Sequence, residues 1–388
     1  MTDRLSTAET IFGALGQFAP VWIGLAIIMG VSFVMRRRLS LYGRLYDTGI
    51  GMAGAFFVFF WVLTAIFAHQ VAPFEPLSMS IGMKNQLPGA VDPESGFVYY
   101  LGGDKFGRDV FSRVVHGSRI VLIIAPAATL LAFIVGMFLG LPAGYYGGRL
   151  DSVLSFFANL ILAFPVILLF YLLVSPGIRD EPIQSLQTIG LSASMPQAAA
   201  IIFSMISATF FAILCYSKFF MRPGLLLLQL FIVAVATYFL IKEVVYGIDP
   251  STLNIFVAVV FASSPGVFRI VRGLTLDIAT RDYVAASQTR GEGPWYIMLW
   301  EILPNARGPL IVDACLRIGY TSILLGTLGY FGLGLEPESP DWGTTIKEGS
   351  RLLRQYIHPA LPPALALMSF VLGLNLLADA LREQSLKD

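Results

Sequence analysis

The chain has 388 residues, of which 56% are hydrophobic and 13% charged, where soluble domains carry about a quarter charged residues. Its 26 basic and 25 acidic side chains leave a net charge of +1, which excludes a global attraction to nucleic acid. A mean hydropathy of +0.73 excludes an ordinary soluble domain.

Nine runs of at least 18 residues contain no Asp, Glu, Lys or Arg: 10–35, 48–74, 120–148, 152–178, 182–217, 223–241, 250–268, 318–335 and 355–378. A helix needs roughly 20 mostly apolar residues to cross about 30 Å of hydrocarbon, and lipid offers no partner to an unpaired backbone group. The pattern predicts an all-α polytopic membrane protein with about nine transmembrane helices. The first run follows Asp3, Arg4 and Glu9 and ends in Arg36-Arg37-Arg38. That flank lacks the basic excess of a cleaved signal, so the run reads as a retained helix.

Between the second and third runs, "KFGRDVFSRVVHGSRI" (105–120) places Val110, Phe111 and Val114 at helical spacing, opposite Arg108, Asp109 and Arg113. This predicts an amphipathic helix lying at the outer interface. His69, His116 and His358 are far apart in the chain, and Cys215 and Cys315 sit in apolar surroundings without a partner at metal or redox spacing. No metal site is expected from them. No internal repeat of 20 to 50 residues is visible, and one membrane domain is the economical reading.

The later runs are interrupted once, by the polar stretch "DYVAASQTRGEGPWYIMLWEILPNARGPLI" (282–311). Residues 277–292 read as a short helix with Tyr283, Ala286 and Arg290 on one face and Val284, Gln288 and Glu292 on another. Gly291 and Gly293-Pro294 end it. A second segment, Trp295 to Leu303, is rich in large apolar residues, and Pro304 turns the chain toward the next span. Such an insert suits a surface made to sit in a partner's groove. Asp313 and Arg317, at i and i+4, read as a helix-surface ion pair. The spans otherwise carry almost no ionisable groups, whereas an ion-coupled carrier would keep some inside its helices. The dipeptide Gly-Lys is absent, so there is no phosphate-cradling P-loop. Uphill transport would draw its energy from another subunit.

Sidedness follows from charge. With nine helices, segments 36–47, 145–151, 218–222, 269–307 and the tail from Asp379 share one side and hold 14 Lys/Arg against 9 Asp/Glu. The other side holds 11 against 15. Basic residues favour the cytoplasm. This places the N-terminus outside, the C-terminus inside and the 277–309 loop in the cytoplasm.

That loop resembles the cytoplasmic motif of inner-membrane permeases of binding-protein-dependent ABC importers, written E-A-A-x3-G-x9-I-x-L-P. Ala285-Ala286-Ser287 stand at E-A-A, Gly291 at the glycine, Glu301 at the isoleucine and Leu303-Pro304 at the end. The glutamate is therefore Ala285 and the isoleucine Glu301, and Asp282 or Glu292 could supply a substitute charge. Other segments resemble the oligopeptide/dipeptide/nickel branch: 102–120, 140–154 with "LAFP" at 162–165, 331–349 and 373–383. The likeness covers roughly 50–174 and 250–388. It implies a six-helix permease core plus about three extra helices: one in residues 1–47, with its basic loop, ahead of a permease domain over 48–388 that carries a two-helix insertion at about 175–249. It also implies a second homologous permease forming a heterodimer, two ABC ATPase subunits docked on the loop, an extracytoplasmic substrate-binding protein and a place in the bacterial inner membrane. The chain itself would need no cofactor, since ATP and Mg would belong to the ATPase subunits, and it would move peptides or similar small solutes. It would not be an enzyme. The rival readings are an ion-coupled secondary transporter and a structural or assembly membrane protein. No residue is assigned to cargo binding.

Overall fold

The computed structural model describes residues 4–38, 40–174, 250–333 and 338–385, with a few positions between 199 and 213. But for those positions, the two-helix insertion at about 175–249, with spans expected at 197–217 and 224–241, lies outside the described residues. The described elements in chain order are α1 (Thr7–Gln17), α2 (Ala19–Val34), α3 (Ser40–Arg44), α4 (Gly49–Ile66), α5 (Ala68–Val71), β1 (Ala90–Val91), β2 (Val98–Tyr99), α6 (Val110–Tyr146), α7 (Gly148–Ala163), α8 (Val166–Val174), α9 (Pro250–Ile278), α10 (Asp282–Thr289), α11 (Arg307–Phe331), α12 (Trp342–Ser350) and α13 (Leu361–Ser385).

Helix dominates, as an uncharged backbone in lipid requires. Five of these helices are long and apolar enough to cross a membrane: α4, α6, Ile255–Ile278 of α9, α11 and Leu361–Gln384 of α13. The pair α1–α2, bent by 56°, makes a sixth if taken as one span. The run at 152–178 does not form one straight helix. Phe164 is extended, with ψ 132°, because it precedes Pro165, and the run divides into α7 and α8. The departure from an all-α chain among the described residues is the two-stranded antiparallel hairpin pairing Ala90 with Tyr99 and Val91 with Val98. Asp92 closes its turn, accepting from Ser80 Oγ at 2.8 Å, Ser95 Oγ at 2.6 Å and the Glu94 amide at 3.3 Å. Burial works to raise the Asp92 pKa, but these donors outweigh it and hold the group below the usual carboxylate range.

The chain forms two compact units, Met1–Pro126 with Cys315–Asp388, and Ala127–Ala314. In the first, α4 lies along α13 at a crossing made for glycine. A Cβ on Gly54 would sit 2.6 Å from the Leu377 amide, and one on Gly373 would sit 2.6 Å from Phe57 Cβ. Small residues at such a crossing let helix backbones approach closely, which supplies packing where lipid gives no hydrophobic drive. Val21 and Leu25 of α2 are buried with Leu63 of α4 and with Phe111 and Val115 of α6. The N-terminal helix is therefore packed into this unit.

In the second unit α6 meets α9 along Gly136, Gly140 and Gly144, one per helical turn. Added Cβ atoms there would lie 2.6 Å from Val267 Cβ, 2.9 Å from the Phe268 carbonyl and 2.7 Å from Thr275 Cβ. Arg272 of α9 is paired with Asp151 of α7.

Candidate functional site

The stretch between α9 and α11 is built on an apolar base. Ile297, Met298, Leu299 and Ile302 are buried, and join a core with Phe133, Leu141, Val267, Val271, Ile278 and Val284. Trp295 stacks on Phe138, ring centroids 6.2 Å apart. The large side chains of 295–303, which the sequence suggests as docking groups, thus face inward and anchor the loop. Their backbone widens into a π-turn over Ile297–Ile302, ahead of Pro304, which cannot donate to a regular helix. Leu303 is half-buried and Pro304 exposed.

On this base sits α10. It is two turns long, shorter than the 277–292 expected, because α9 runs on to Ile278 and the chain unwinds before Asp282. Asp282, in the first turn, offsets the positive end of the helix dipole. Val284 and Ser287 point inward with no exposed surface, while Tyr283, Ala285 and Ala286 face solvent. Polar Gln288 donates from Nε2 to Tyr145 Oη at 3.2 Å. The helix ends in a Schellman motif: the Glu292 amide donates to the Ser287 carbonyl at 3.2 Å and the Gly291 amide to Gln288 at 3.0 Å. Gly291 has φ +80°, the left-handed conformation that this cap demands and glycine supplies without strain. Glu292 is half-buried beyond it.

Glu301, at the isoleucine position of the motif, meets Ser287, at its last alanine position. Ser287 Oγ donates to Glu301 Oε1 at 3.0 Å, and Arg290 Nη2 donates to Ser287 Oγ at 2.6 Å and to Glu301 Oε1 at 3.4 Å. Asn305 Nδ2 donates to the Glu301 carbonyl at 2.6 Å. The back of α10 is therefore tied to the segment leading into α11 by a polar clasp, in place of an Ala–Ile contact. Sequence reasoning places Glu301 outside its motif but misses its partner. The available signal was a second polar departure, Ser287, at the last alanine position. Arg281 and Asp277 form an exposed i, i+4 pair at 2.9 Å, of little energetic weight.

The expected outer interfacial helix is a different object. Helix α6 starts at Val110 and continues unbroken to Tyr146, 37 residues or about 55 Å, more than a bilayer core needs. Arg108 and Asp109 precede it. Arg108, Asp109 and Arg113, expected on a wet face, are all buried. Arg108 Nε pairs with Asp104 Oδ2 at 2.6 Å, and its Nη2 with Glu348 of α12. Arg113 Nη2 reaches Glu348 Oε2 at 3.3 Å and the Ser339 carbonyl at 3.0 Å. Asp109 caps α6, accepting from the Ser112 amide at 2.9 Å and Ser112 Oγ at 2.7 Å, while burial pushes its carboxyl up to about 6. Beside them Trp342, fully buried, donates to the Val114 carbonyl at 2.9 Å. The polar face is covered by α12, where the Glu348 carboxylate faces both cations, while Arg108 Nη1 and Arg113 Nε are left without a hydrogen-bond partner among the described residues.

Comparison with known proteins bears on what this arrangement serves. Residues 218–385, which span α9 to α13 and the whole 277–309 loop, match the family described as binding-protein-dependent transport system inner membrane component. The chain is similar to the dipeptide transport system permease protein DppC of Haemophilus influenzae, 27% identical over 332 residues, covering 86% of this chain and 88% of the relative. It is similar also to the di/tripeptide transport system permease protein DppC of Pseudomonas aeruginosa, 27% identical with 86% of each covered. The glutathione transport system permease protein GsiD of Pectobacterium atrosepticum is 26% identical, with 86% of this chain and 85% of the relative covered.

Proposed function

We propose that the chain is an inner-membrane permease component of a binding-protein-dependent ABC importer, that its 277–309 loop receives the mechanical work of ATP-hydrolysing partners and that its cargo is a short peptide. The observation that carries the reading is the build of α10. It presents small and aromatic side chains, Tyr283, Ala285 and Ala286, outward on a rigid apolar base. A partner groove can seat on that face without a desolvation cost from buried charge. With no glutamate at Ala285, the docking contact rests on shape and on the flanking charges Asp282 and Glu292.

The coupling path follows from rigidity. Motion imposed on α10 passes to α9 through Val284 and to α11 through the Ser287–Glu301 clasp, because packed elements shift as bodies rather than bend. The translocation path forms between this chain and a second, related permease, with two ATPase subunits below and a binding protein delivering cargo outside. In this reading the N-terminus is extracytoplasmic, the loop and C-terminus are cytoplasmic, and about nine helices cross the membrane. Residues 1–47, whose α2 packs on α4 and α6, and the 175–249 insertion are additions to the six-helix core. Peptide cargo draws its support from the relatives, whose names specify dipeptides, di/tripeptides and glutathione.

The test is a cysteine at Ala286, paired with cysteines in the candidate ATPase groove, in proteoliposomes holding the assembled transporter. Cross-linking that depends on nucleotide state, with ATP-dependent uptake of labelled di- and tripeptides, is expected. Uptake indifferent to ATP and driven by an ion gradient would overturn the reading in favour of a secondary carrier.

A further inference from the structure

His116 lies more than forty residues beyond His69 and Glu75 in sequence, and the fold gathers the three. A donor atom from each lies within 4.8 Å of the others. The two imidazole rings meet edge to face, centroids 5.3 Å apart. We propose that these three side chains bind a borderline divalent transition-metal ion, zinc being the type, independently of the coupling loop.

The donor set selects the ion. Two imidazoles and one carboxylate suit zinc, nickel or copper, whereas calcium and magnesium require shells made of oxygen. In tetrahedral zinc sites bonds of about 2.0–2.2 Å put donor atoms roughly 3.4 Å apart. Closing the cluster from its present spread takes about 1 Å of side-chain rotation, which the exposed His69 and Glu75 have room to make. His116, buried in α6, is the fixed member. Three protein donors leave a fourth position open, to water or to a ligand group from a partner.

The place of the cation is already marked. Arg119 Nη1 lies against His69 Nε2, so an imidazole lone pair is directed at a positive group. Arg119 and a metal ion would compete, and removing the arginine charge should tighten binding. Because His69 lies in α5, Glu75 in the loop beyond it and His116 in α6, the ion would staple that loop to two helices.

The experiment uses the full chain in its assembled transporter, purified without a histidine tag and titrated with Co2+, whose visible absorption reports imidazole and carboxylate ligation. One saturable equivalent is expected, displaced by Zn2+ but not by Mg2+. His69→Ala and Glu75→Gln, both at exposed positions, should weaken that equivalent by roughly ten-fold or more, and Arg119→Gln should strengthen it. Thermal unfolding without metal should match between parent and exposed-site variants. Absence of a saturable equivalent, or an equivalent that survives both His69→Ala and His116→Ala, overturns the proposal. Neither result touches the coupling role of α10.

Discussion

Removing the Ser287 hydroxyl isolates the clasp behind α10. The Glu301 carboxylate, 25% exposed, accepts from Ser287 Oγ at 3.0 Å and from Arg290 Nη2 at 3.4 Å. A hydrogen bond to a charged acceptor contributes roughly 1.5–3 kcal/mol. The Arg290 side chain is 56% exposed, so its pair with Glu301 adds only about 0.2–1 kcal/mol. Ser287→Ala should therefore loosen α10 by about 2 kcal/mol, raising the detached population about thirty-fold. Glu301→Gln weakens the same bond, so the double variant should cost about as much as either single one rather than their sum. The assay is the ratio of hydrolysis stimulated by binding protein and cargo to basal hydrolysis in the reconstituted transporter, and both single variants should lower it several-fold. Ser287→Ala with Glu301→Ile, which restores the apolar pair of the motif, should recover most of it. Additive single effects, or ratios unchanged in both, would refute a clasp that carries coupling.

Three further outcomes follow from the described geometry. Glu348→Gln strips the carboxylate from two fully buried guanidinium groups and should destabilise by about 3–5 kcal/mol, read as a fall in Tm of the purified complex; an unchanged Tm would contradict the ion cluster. Gly140→Leu should cost about 1–3 kcal/mol because its Cβ would lie 2.9 Å from the Phe268 carbonyl, while Gly273→Ala, with nothing within 4 Å, should be neutral or stabilising by up to about 1 kcal/mol. Two carboxylates respond to acid with opposite sign. Asp109, raised to about 6, binds its proton in the folded state first, so its contribution is full below the ordinary carboxylate pKa and is lost as pH rises through about 6. Asp92, held low, contributes above the ordinary value and loses that contribution as pH falls through its folded pKa. Thermal unfolding should show Asp109→Asn abolishing a gain in stability on acidification from pH 7 to 4, and Asp92→Asn abolishing a loss on acidification below about pH 4.

Class and task were legible in the residues because both rest on local, near-neighbour physics. Lipid forces uncharged backbone into helices of membrane length, so counting uncharged runs identifies a polytopic membrane chain. The end of α10 was readable as well, since a Schellman cap needs glycine at one position and Gly291 stands there, whereas its start at Asp282 was expected five residues earlier. The family motif, read by spacing, singled out the 277–309 loop, which lies inside the matched residues 218–385. What the residues alone could not settle were the directions that side chains face. Arg108, Asp109 and Arg113 have the periodicity of a wet helix face, yet α12, more than two hundred residues later, brings Glu348 to meet them. Trp295 to Ile302 have the composition of a docking surface, yet they fill their own unit's core. Ser287 finds Glu301 only because α10 folds back on the π-turn, and His69 finds His116 only because α5 and α6 come side by side. Periodicity says that a helix has two faces. Which face is covered, and by what, depends on residues distant in the chain, and tertiary packing alone brings them into contact.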